Sequence, residues 1–280
     1  MTDTSPTDLL LKLMLLERLM KQGQRRKVKT PAINAIKIKS TEALRAALNA
    51  DPTLVNQITD GYGTPILYTI RKGWYEGAQV LLRDYHANPN LTPDDQYTPL
   101  FYAAATDNAS MMSLLLEYGA NFESLEGDAN VNIVEHICRV MATLGKRSNE
   151  STNVESLKFT LRYIAQRPAL HYMLWRQNMA SSGRTTLHYA LQAPNALVLY
   201  ILLEYMSAIS LDRLATFINA VDTDGDTALH LAAKADDTGC IDILRHYGAS
   251  TTIRNGEQKT PVECAKMSLV KKALIKRYVQ

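Results

Sequence analysis

Asn219-Ala220-Val221-Asp222-Thr223-Asp224-Gly225-Asp226-Thr227-Ala228-Leu229-His230-Leu231-Ala232-Ala233 is the stretch on which the fold turns. Its first half is turn chemistry: three aspartates around Gly225, residues that bond their own backbone or accept left-handed φ. Thr227 follows, a side chain suited to capping free backbone N–H groups, and Ala228 to Ala233 then reads as a short apolar helix. A second apolar stretch, Ile241 to Leu244, comes about ten residues on and ends at Tyr247-Gly248-Ala249, where glycine suits a helix stop. One turn and two short helices are therefore encoded here. Neither helix is long enough to be stable alone.

The same phrase recurs outward in both directions. Thr30-Pro31-Ala32-Ile33-Asn34-Ala35, Thr64-Pro65-Ile66-Leu67-Tyr68-Thr69 and Thr98-Pro99-Leu100-Phe101-Tyr102-Ala103 precede it, as does Thr185-Thr186-Leu187-His188-Tyr189-Ala190, and Thr260-Pro261-Val262-Glu263-Cys264-Ala265 follows. Successive threonines are 34, 34, 87, 42 and 33 residues apart. A fixed period of this size marks stacked repeats. Proline after the threonine suits a first helical turn, and alanine five residues after it lets a neighbouring helix approach; Thr69 alone departs. Second helices are expected near Ala78–Leu82, Met111–Leu116 and Leu197–Leu203.

The unit D-x-x-G-x-T-P-L-H-x-A-A, a second helix and then G-A resembles the ankyrin repeat. Asn219 to Ala233 with Gly248-Ala249 matches it nearly position for position, and the resemblance covers roughly residues 25–280. It implies an all-α fold: a curved solenoid of stacked helix-turn-helix units with projecting hairpin-like loops, about seven units, some degenerate. Residues 1–24 are then expected to be an N-terminal capping helix leading to a basic linker. Ser5-Pro6-Thr7-Asp8 reads as its start and Gly23 as its stop.

Several departures carry information. His86 stands where the helix-ending glycine belongs, in a unit one residue longer than the pattern, and histidine tolerates positive φ better than most residues. About nine extra residues precede Asn219, and Met206-Ser207 replaces Gly-Ala in the same unit. Between Thr98 and Thr185 the spacing fits a normal unit plus an irregular, extended one at about 123–180. Within it we expect a first helix from Val131 to Leu144, a polar loop, a second helix from Val154 to Gln166 and an added short helix between Ala169 and Asn178.

Composition excludes several classes of protein. Hydrophobic residues make up 46% of the 280 and charged residues 21%, which is globular rather than disordered. No run of 18 apolar residues offers a membrane span. Leu9 to Leu16 resembles the middle of a signal peptide, but Asp3 and Asp8 precede it without a positive charge, so secretion by that route is not expected. Three cysteines build no disulfide framework. The charge is unevenly laid out: nine basic against three acidic residues in 1–40, then four against thirteen in 41–135. Arg25-Arg26-Lys27-Val28-Lys29 has no aromatic residue interleaved, so base stacking is missing and nucleic acid is not the expected partner.

Chemistry is sparse. His188 and His230 fall at the repeat's own histidine position, which implies bonding to neighbouring loops. Cys240 and Cys264 are expected as small buried hydrophobes. Asp222-x-Asp224-Gly225-Asp226 looks at first like a calcium loop, yet Thr227 and Ala233 stand where that loop needs glycine and glutamate. No phosphate loop, dinucleotide fingerprint or nucleophile elbow occurs. The expectation is therefore no catalytic residue, no metal and no cofactor.

The family resemblance implies instead a non-catalytic scaffold that binds another protein on its concave face. Carrying the family's variable positions across places Arg71, Lys72, Asp94, Asp95, Tyr97, Arg184, Gln192, Asp224, Asp226 and Lys234 on that face, with Lys29, Lys37 and Lys259 beside them and Trp74 at its border. Two alternatives stand beside it: an enzyme or effector with a site in residues 129–183, or an adaptor for anionic surfaces through the basic N-terminal segment. A monomeric, cytoplasmic protein is implied. Chains of this family occur in eukaryotic regulators and in proteins that intracellular bacteria deliver into host cytosol, and the irregular units, with no attached domain expected, point to a delivered virulence effector.

Overall fold

A computed structural model describes residues 30–93, 97–124, 130–144, 154–179, 182–193 and 196–275. The expected N-terminal helix, the basic linker and the polar loop after Leu144 lie outside these residues. The chain divides into two compact units, residues 1–127 and 128–280.

The first unit holds three helix pairs. They are α1 (Pro31–Lys37) with α2 (Thr41–Ala50), α3 (Pro65–Arg71) with α4 (Tyr75–Gln79), and α5 (Pro99–Ala105) with α6 (Ala109–Glu117). Proline opens the first helix of each pair. Thr64 caps as expected, its hydroxyl accepting from the Leu67 N–H at 3.3 Å. Thr30 and Thr98 do not: both are buried, and neither hydroxyl caps its helix.

The turn inside a pair is set by one left-handed residue nine places after the threonine: Lys39, Gly73 and Asp107, at φ 51°, 56° and 52°. The next N–H then reaches back over that turn, from Ser40 to Ala35 O, Trp74 to Thr69 O and Asn108 to Ala103 O. This closes the open carbonyls of the first helix. Alanine at the fifth place is buried where expected, at Ala35 and Ala103. Thr69 is tolerated there because its hydroxyl donates to the Pro65 carbonyl at 2.7 Å.

His86 takes φ 52°, as its place in the pattern predicts. The extra residue of that unit is absorbed just before it, in a π-helical turn over Val80–Asp84 that continues α4. Ala87 N–H consequently reaches six residues back to Leu81 O, whereas Ala120 N–H reaches five back to Leu115 O. Asn side chains tie successive connections: Asn56 Oδ1 accepts from Asn88 N–H at 2.9 Å, and Asn90 Oδ1 from Asn121 N–H at 2.7 Å.

The second unit begins with the irregular pair, α7 (Ile133–Leu144) and α8 (Glu155–Ala165). Asn132, 34 residues after Thr98, takes the threonine's place. Its Oδ1 accepts from Glu135 N–H at 3.0 Å, while Glu135 Oε2 accepts from Asn132 N–H at 3.1 Å, a reciprocal capping box. The added segment is a 3-10 turn over Pro168–Met173, shorter than expected. It runs into a two-residue strand, β1 (Gln177–Asn178), antiparallel to β2 (Arg184–Thr185). Strand pairing here was not foreseen, since a two-residue ladder leaves no alternation to read.

Then follow α9 (Thr186–Ala190), α10 (Leu197–Ile209) and an extra helix α11 (Leu211–Phe217), which accounts for the surplus before Asn219. Phe217 meets Trp175 edge-on at 5.5 Å, so the two irregular insertions brace each other. The regular pairs α12 (Ala228–Lys234) with α13 (Thr238–His246), and α14 (Pro261–Cys264) with α15 (Ser268–Ile275), complete the unit. Asp236 supplies the left-handed turn (φ 53°) and Gly248 ends α13. Cys240 is buried as expected, but Cys264 is partly exposed, because α14 is a single turn that leaves one side uncovered.

Candidate functional site

In the first unit cations at the ends of α1 and α3 are laid over tyrosine rings of α3, α5 and the connection before α3. Lys37 ends α1; its ammonium lies 4.4 Å from the Tyr62 ring centre and 3.0 Å from that tyrosine's hydroxyl. Arg71 ends α3, donates to the Tyr62 carbonyl at 3.3 Å and lies 5.8 Å over the Tyr102 ring of the next repeat. The exposed Lys72 ammonium sits 5.5 Å from the Tyr68 ring centre. Tyr62 and Tyr68 meet edge to face at 5.0 Å. Contacts of this kind hold long cationic side chains in place at small cost. Burial pushes the Tyr68 and Tyr102 hydroxyls upward from the ordinary tyrosine range.

The geometry repeats. Arg139 in α7 stands seven residues after Asn132, as Arg71 does after Thr64, and lies 5.6 Å over the Tyr189 ring of the repeat that follows. Tyr68, Tyr102 and Tyr189 occupy one place in the recurring phrase, a coincidence visible in the sequence. It escaped notice as a binding signal because that place reads as core, and Tyr68 and Tyr102 are indeed only 6% and 5% exposed.

Of the other expected contact residues, Tyr97 is half-buried with its ring stacked on Phe101 at 6.0 Å. Trp74 is turned inward: its indole lies directly over Gly77, where any Cβ would collide with it. Asp94 and Asp95 lie outside the described residues. Arg71, Lys72 and Lys37 are thus brought together, with tyrosines that the expectation did not include.

In the second unit Arg184 faces Asp222 at 3.8 Å, Gln192 is half-buried and Asp224 is exposed. Asp226 is buried; its carboxylate pairs with Lys234 and accepts from Asn255 Nδ2 at 2.7 Å. Thr223, Asp224, Lys234, Asn255, Gly256 and Glu257 line a cleft of about 450 Å³. The carboxylates of Asp222, Asp224 and Asp226 come within 4.8 Å of one another. Asp222 Oδ1 accepts from the N–H groups of both Asp224 and Asp226 at 3.0 Å, so these residues build the hairpin's own turn.

Among the described residues of the irregular region one carboxylate is desolvated, that of Glu135. Burial pushes its pKa up against the pull of Arg176, and its Oε2 accepts from Asn178 Nδ2 at 3.1 Å and Arg176 Nη1 at 3.3 Å. That oxygen joins α7 to the segment leading into β1. It is a structural clasp.

A family model of ankyrin repeats in three copies matches residues 32–126 and 153–255, well over half of the chain. The chain therefore belongs to the ankyrin-repeat family. Among solved structures it is similar to the ankyrin repeat domain of Bcl-3, with a TM-score of 0.69 and 18% identity over 89% of this chain and 99% of that one. The human ASB11 ankyrin repeat domain gives a TM-score of 0.63 and 22% identity, covering 88% and 97%. Among curated proteins, the cell division cycle-related protein res1/sct1 of Schizosaccharomyces pombe is 28% identical over 192 residues, 64% of this chain and 27% of that protein. NF-kappa-B inhibitor zeta of Bos taurus is 35% identical over 85 residues, 29% of this chain and 11% of that one. The chain thus spans only a minor part of the curated relatives it matches.

Proposed function

We propose that the chain is a non-catalytic module that grips a partner protein on the face formed by its inner helices and hairpins, the concave face of the family's solenoid. The observation that carries this reading is the cluster of Lys37, Arg71 and Lys72, the first two set over tyrosines of the following repeat and the third over a tyrosine of its own. Arginine and tyrosine dominate binding hot spots, and a row of repeats shares one partner among several weak contacts. Bcl-3 is described as an IkappaB family member and one relative as an inhibitor of NF-kappa-B, names that fit regulation by protein contact.

Tyr97 extends the proposed face in the first unit, the expected Asp94 and Asp95 lie outside the described residues, and Arg184, Gln192, Asp224 and Lys234 form its counterpart in the second. Asp226 and Trp74 act from beneath it, by holding Lys234 and the α3–α4 turn. The same reading takes the chain as a monomer working in the cytoplasm. The relatives above come from a fission yeast and cattle, so delivery into a host cell rests on family analogy alone.

The test is site-specific photo-crosslinking in cell lysate. A photoreactive residue at Tyr97 should trap a protein partner, and one at Glu76 or Glu117, on second helices, should not. Capture through the second helices with silence at Tyr97 would overturn the reading.

A further inference from the structure

We propose that the inner face of the first unit takes an acidic, Asp/Glu-rich segment of its partner, whose carboxylates meet Lys37, Arg71 and Lys72. This rests on the protein-binding reading and names the chemistry that the partner must present.

The first support is charge segregation. The inner helices Pro31–Lys37, Pro65–Arg71 and Pro99–Ala105 contain no Asp or Glu. The acidic residues described in the unit lie on second helices (Glu42, Glu76, Asp84, Glu117) or in connections (Asp51, Asp60, Asp107, Glu123). Residues 30–124 hold six basic against ten acidic residues, yet the first helices of the three pairs carry, between them, cations and no carboxylate.

The second support is how the cations are held. Arg45 and Arg83 both pair with Asp84 on the second-helix side, at 2.5 and 2.9 Å. Lys37 and Lys72, both exposed, have no ion pair among the described residues and rest on tyrosine rings instead. A ring or a neutral hydroxyl orients an ammonium without neutralising it, so an arriving carboxylate breaks no internal ion pair. Oriented, unneutralised positive charge on one face steers and selects a partner of opposite sign.

The arrangement suits peptide better than nucleic acid. Tyr68 and Tyr102 are 6% and 5% exposed, which withholds their ring faces from base stacking, and the half-buried Tyr62 ring already carries Lys37.

The experiment measures fluorescence anisotropy of a labelled oligoglutamate peptide with the full chain at low and moderate salt. Binding is expected, weakening as salt rises, with no binding of a labelled oligolysine. Lys37→Glu with Lys72→Glu should weaken oligoglutamate binding about tenfold or more. Lys37→Gln with Lys72→Gln should fall between, and Lys266→Glu with Lys271→Glu, exposed in the second unit, should change it less than about twofold. Melting curves confirm that each variant is folded. Absent oligoglutamate binding, or equal binding by Lys37→Glu/Lys72→Glu, overturns the proposal. So does tighter binding of a single-stranded oligonucleotide lost in that same variant, which would assign the face to nucleic acid. A partner crosslinked at Tyr97 that excess oligoglutamate fails to displace sinks the acidic chemistry alone. Loss of crosslinking at Tyr97 sinks the protein-binding reading itself.

Discussion

The imidazole Nε2 of His188 lies 3.0 Å from the carbonyl oxygen of Asp226, 38 residues further along the chain. Its Nδ1 meanwhile faces the N–H of Thr185 at 3.1 Å and that residue's hydroxyl at 2.7 Å. A backbone N–H can only donate, so Nδ1 is the acceptor and Nε2 carries the proton. The same construction returns one repeat on: Thr227 N–H donates to His230 Nδ1 at 3.2 Å, and His230 Nε2 reaches the Lys259 carbonyl at 3.0 Å. Each histidine thus caps its own helix and fastens the next hairpin. Both uses require the neutral ring.

A pH dependence follows with a fixed sign. Burial lowers the pKa of His188 and of His230 below the ordinary 6.5. The unfolded chain therefore binds more protons than the folded one in the window beneath 6.5, and stability is lost as the pH drops through it. Above 6.5 the contribution is complete. Urea unfolding of wild type and of His188→Ala/His230→Ala should show the variant weaker by about 1–2 kcal/mol per site at about pH 8, with the gap narrowing towards about pH 5. A gap that widens on acidification would contradict the assigned tautomer.

The Glu135 clasp makes a prediction of the opposite slope. Arg176 Nη1 lies 3.3 Å from Glu135 Oε2 and also donates to the Asn130 carbonyl at 2.7 Å. Arg176→Ala leaves a fully buried carboxylate without its cation, at a cost of about 3 kcal/mol near neutral pH. Burial already raises the Glu135 pKa, and losing Arg176, which opposes that rise, raises it further. A raised carboxylate pKa stabilises the fold at low pH and withdraws that support as the pH climbs through it. The deficit of Arg176→Ala relative to wild type should shrink on acidification. Arg176→Ala/Glu135→Gln should recover part of the lost stability at neutral pH.

How much of this was legible depended on whether a residue's role is local. The recurring threonines, the prolines, His86 at positive φ and the positions of the regular helices follow from near neighbours in sequence, and all were readable. The irregular pair was readable too, its expected helices Val131–Leu144 and Val154–Gln166 lying within two residues of the observed ones, but Asn132 kept the period with a changed residue type, so its capping role was not. The π turn and α11 absorb surplus residues, and a surplus shows in spacing without showing its shape. Site residues divide in the same way. Repeat register alone sets Lys37, Arg71 and Lys72 near one another, and the structure brings them over neighbouring tyrosine rings. Trp74 and Asp226 were expected at a surface, but Gly77 lets the indole lie flat and Asn255, in the next hairpin, draws the carboxylate inward. Neither partner is predictable from the residue itself.

Neighbouring hairpins of the second unit touch backbone to backbone, and glycine makes the approach possible. Gly256 N–H donates to the Asp224 carbonyl at 2.9 Å, and a Cβ on Gly225, at φ 76°, would stand 2.5 Å from that nitrogen. Gly61 shares the conformation, at φ 75°, but has nothing within 4 Å. Gly61→Ala should cost about 1–2 kcal/mol, the penalty of the left-handed backbone alone. Gly225→Ala should cost about 1–2 kcal/mol more, because the hairpins must separate and a backbone hydrogen bond is lost. Equal losses in thermal unfolding of the two variants would show that the hairpins are not clasped in solution.

The three thiols offer a direct probe of which surfaces open. Cys138 is fully buried, and burial together with the nearby Glu135 charge pushes it up to about 12. Burial and Asp237 likewise raise Cys240, which is 1% exposed. Cys264 is partly exposed; burial raises it, but the Lys234 charge pulls the other way. Reactivity follows thiolate content and access together. A thiol reagent at neutral pH should therefore modify one cysteine slowly in the native chain and the other two only in denaturant. Cys264→Ser should abolish the native reaction while leaving the denatured count at two. Native labelling that survives Cys264→Ser would mean that α7 or α13 opens far more readily than its packing indicates, and the clasp formed by Glu135 would be the first contact to re-examine.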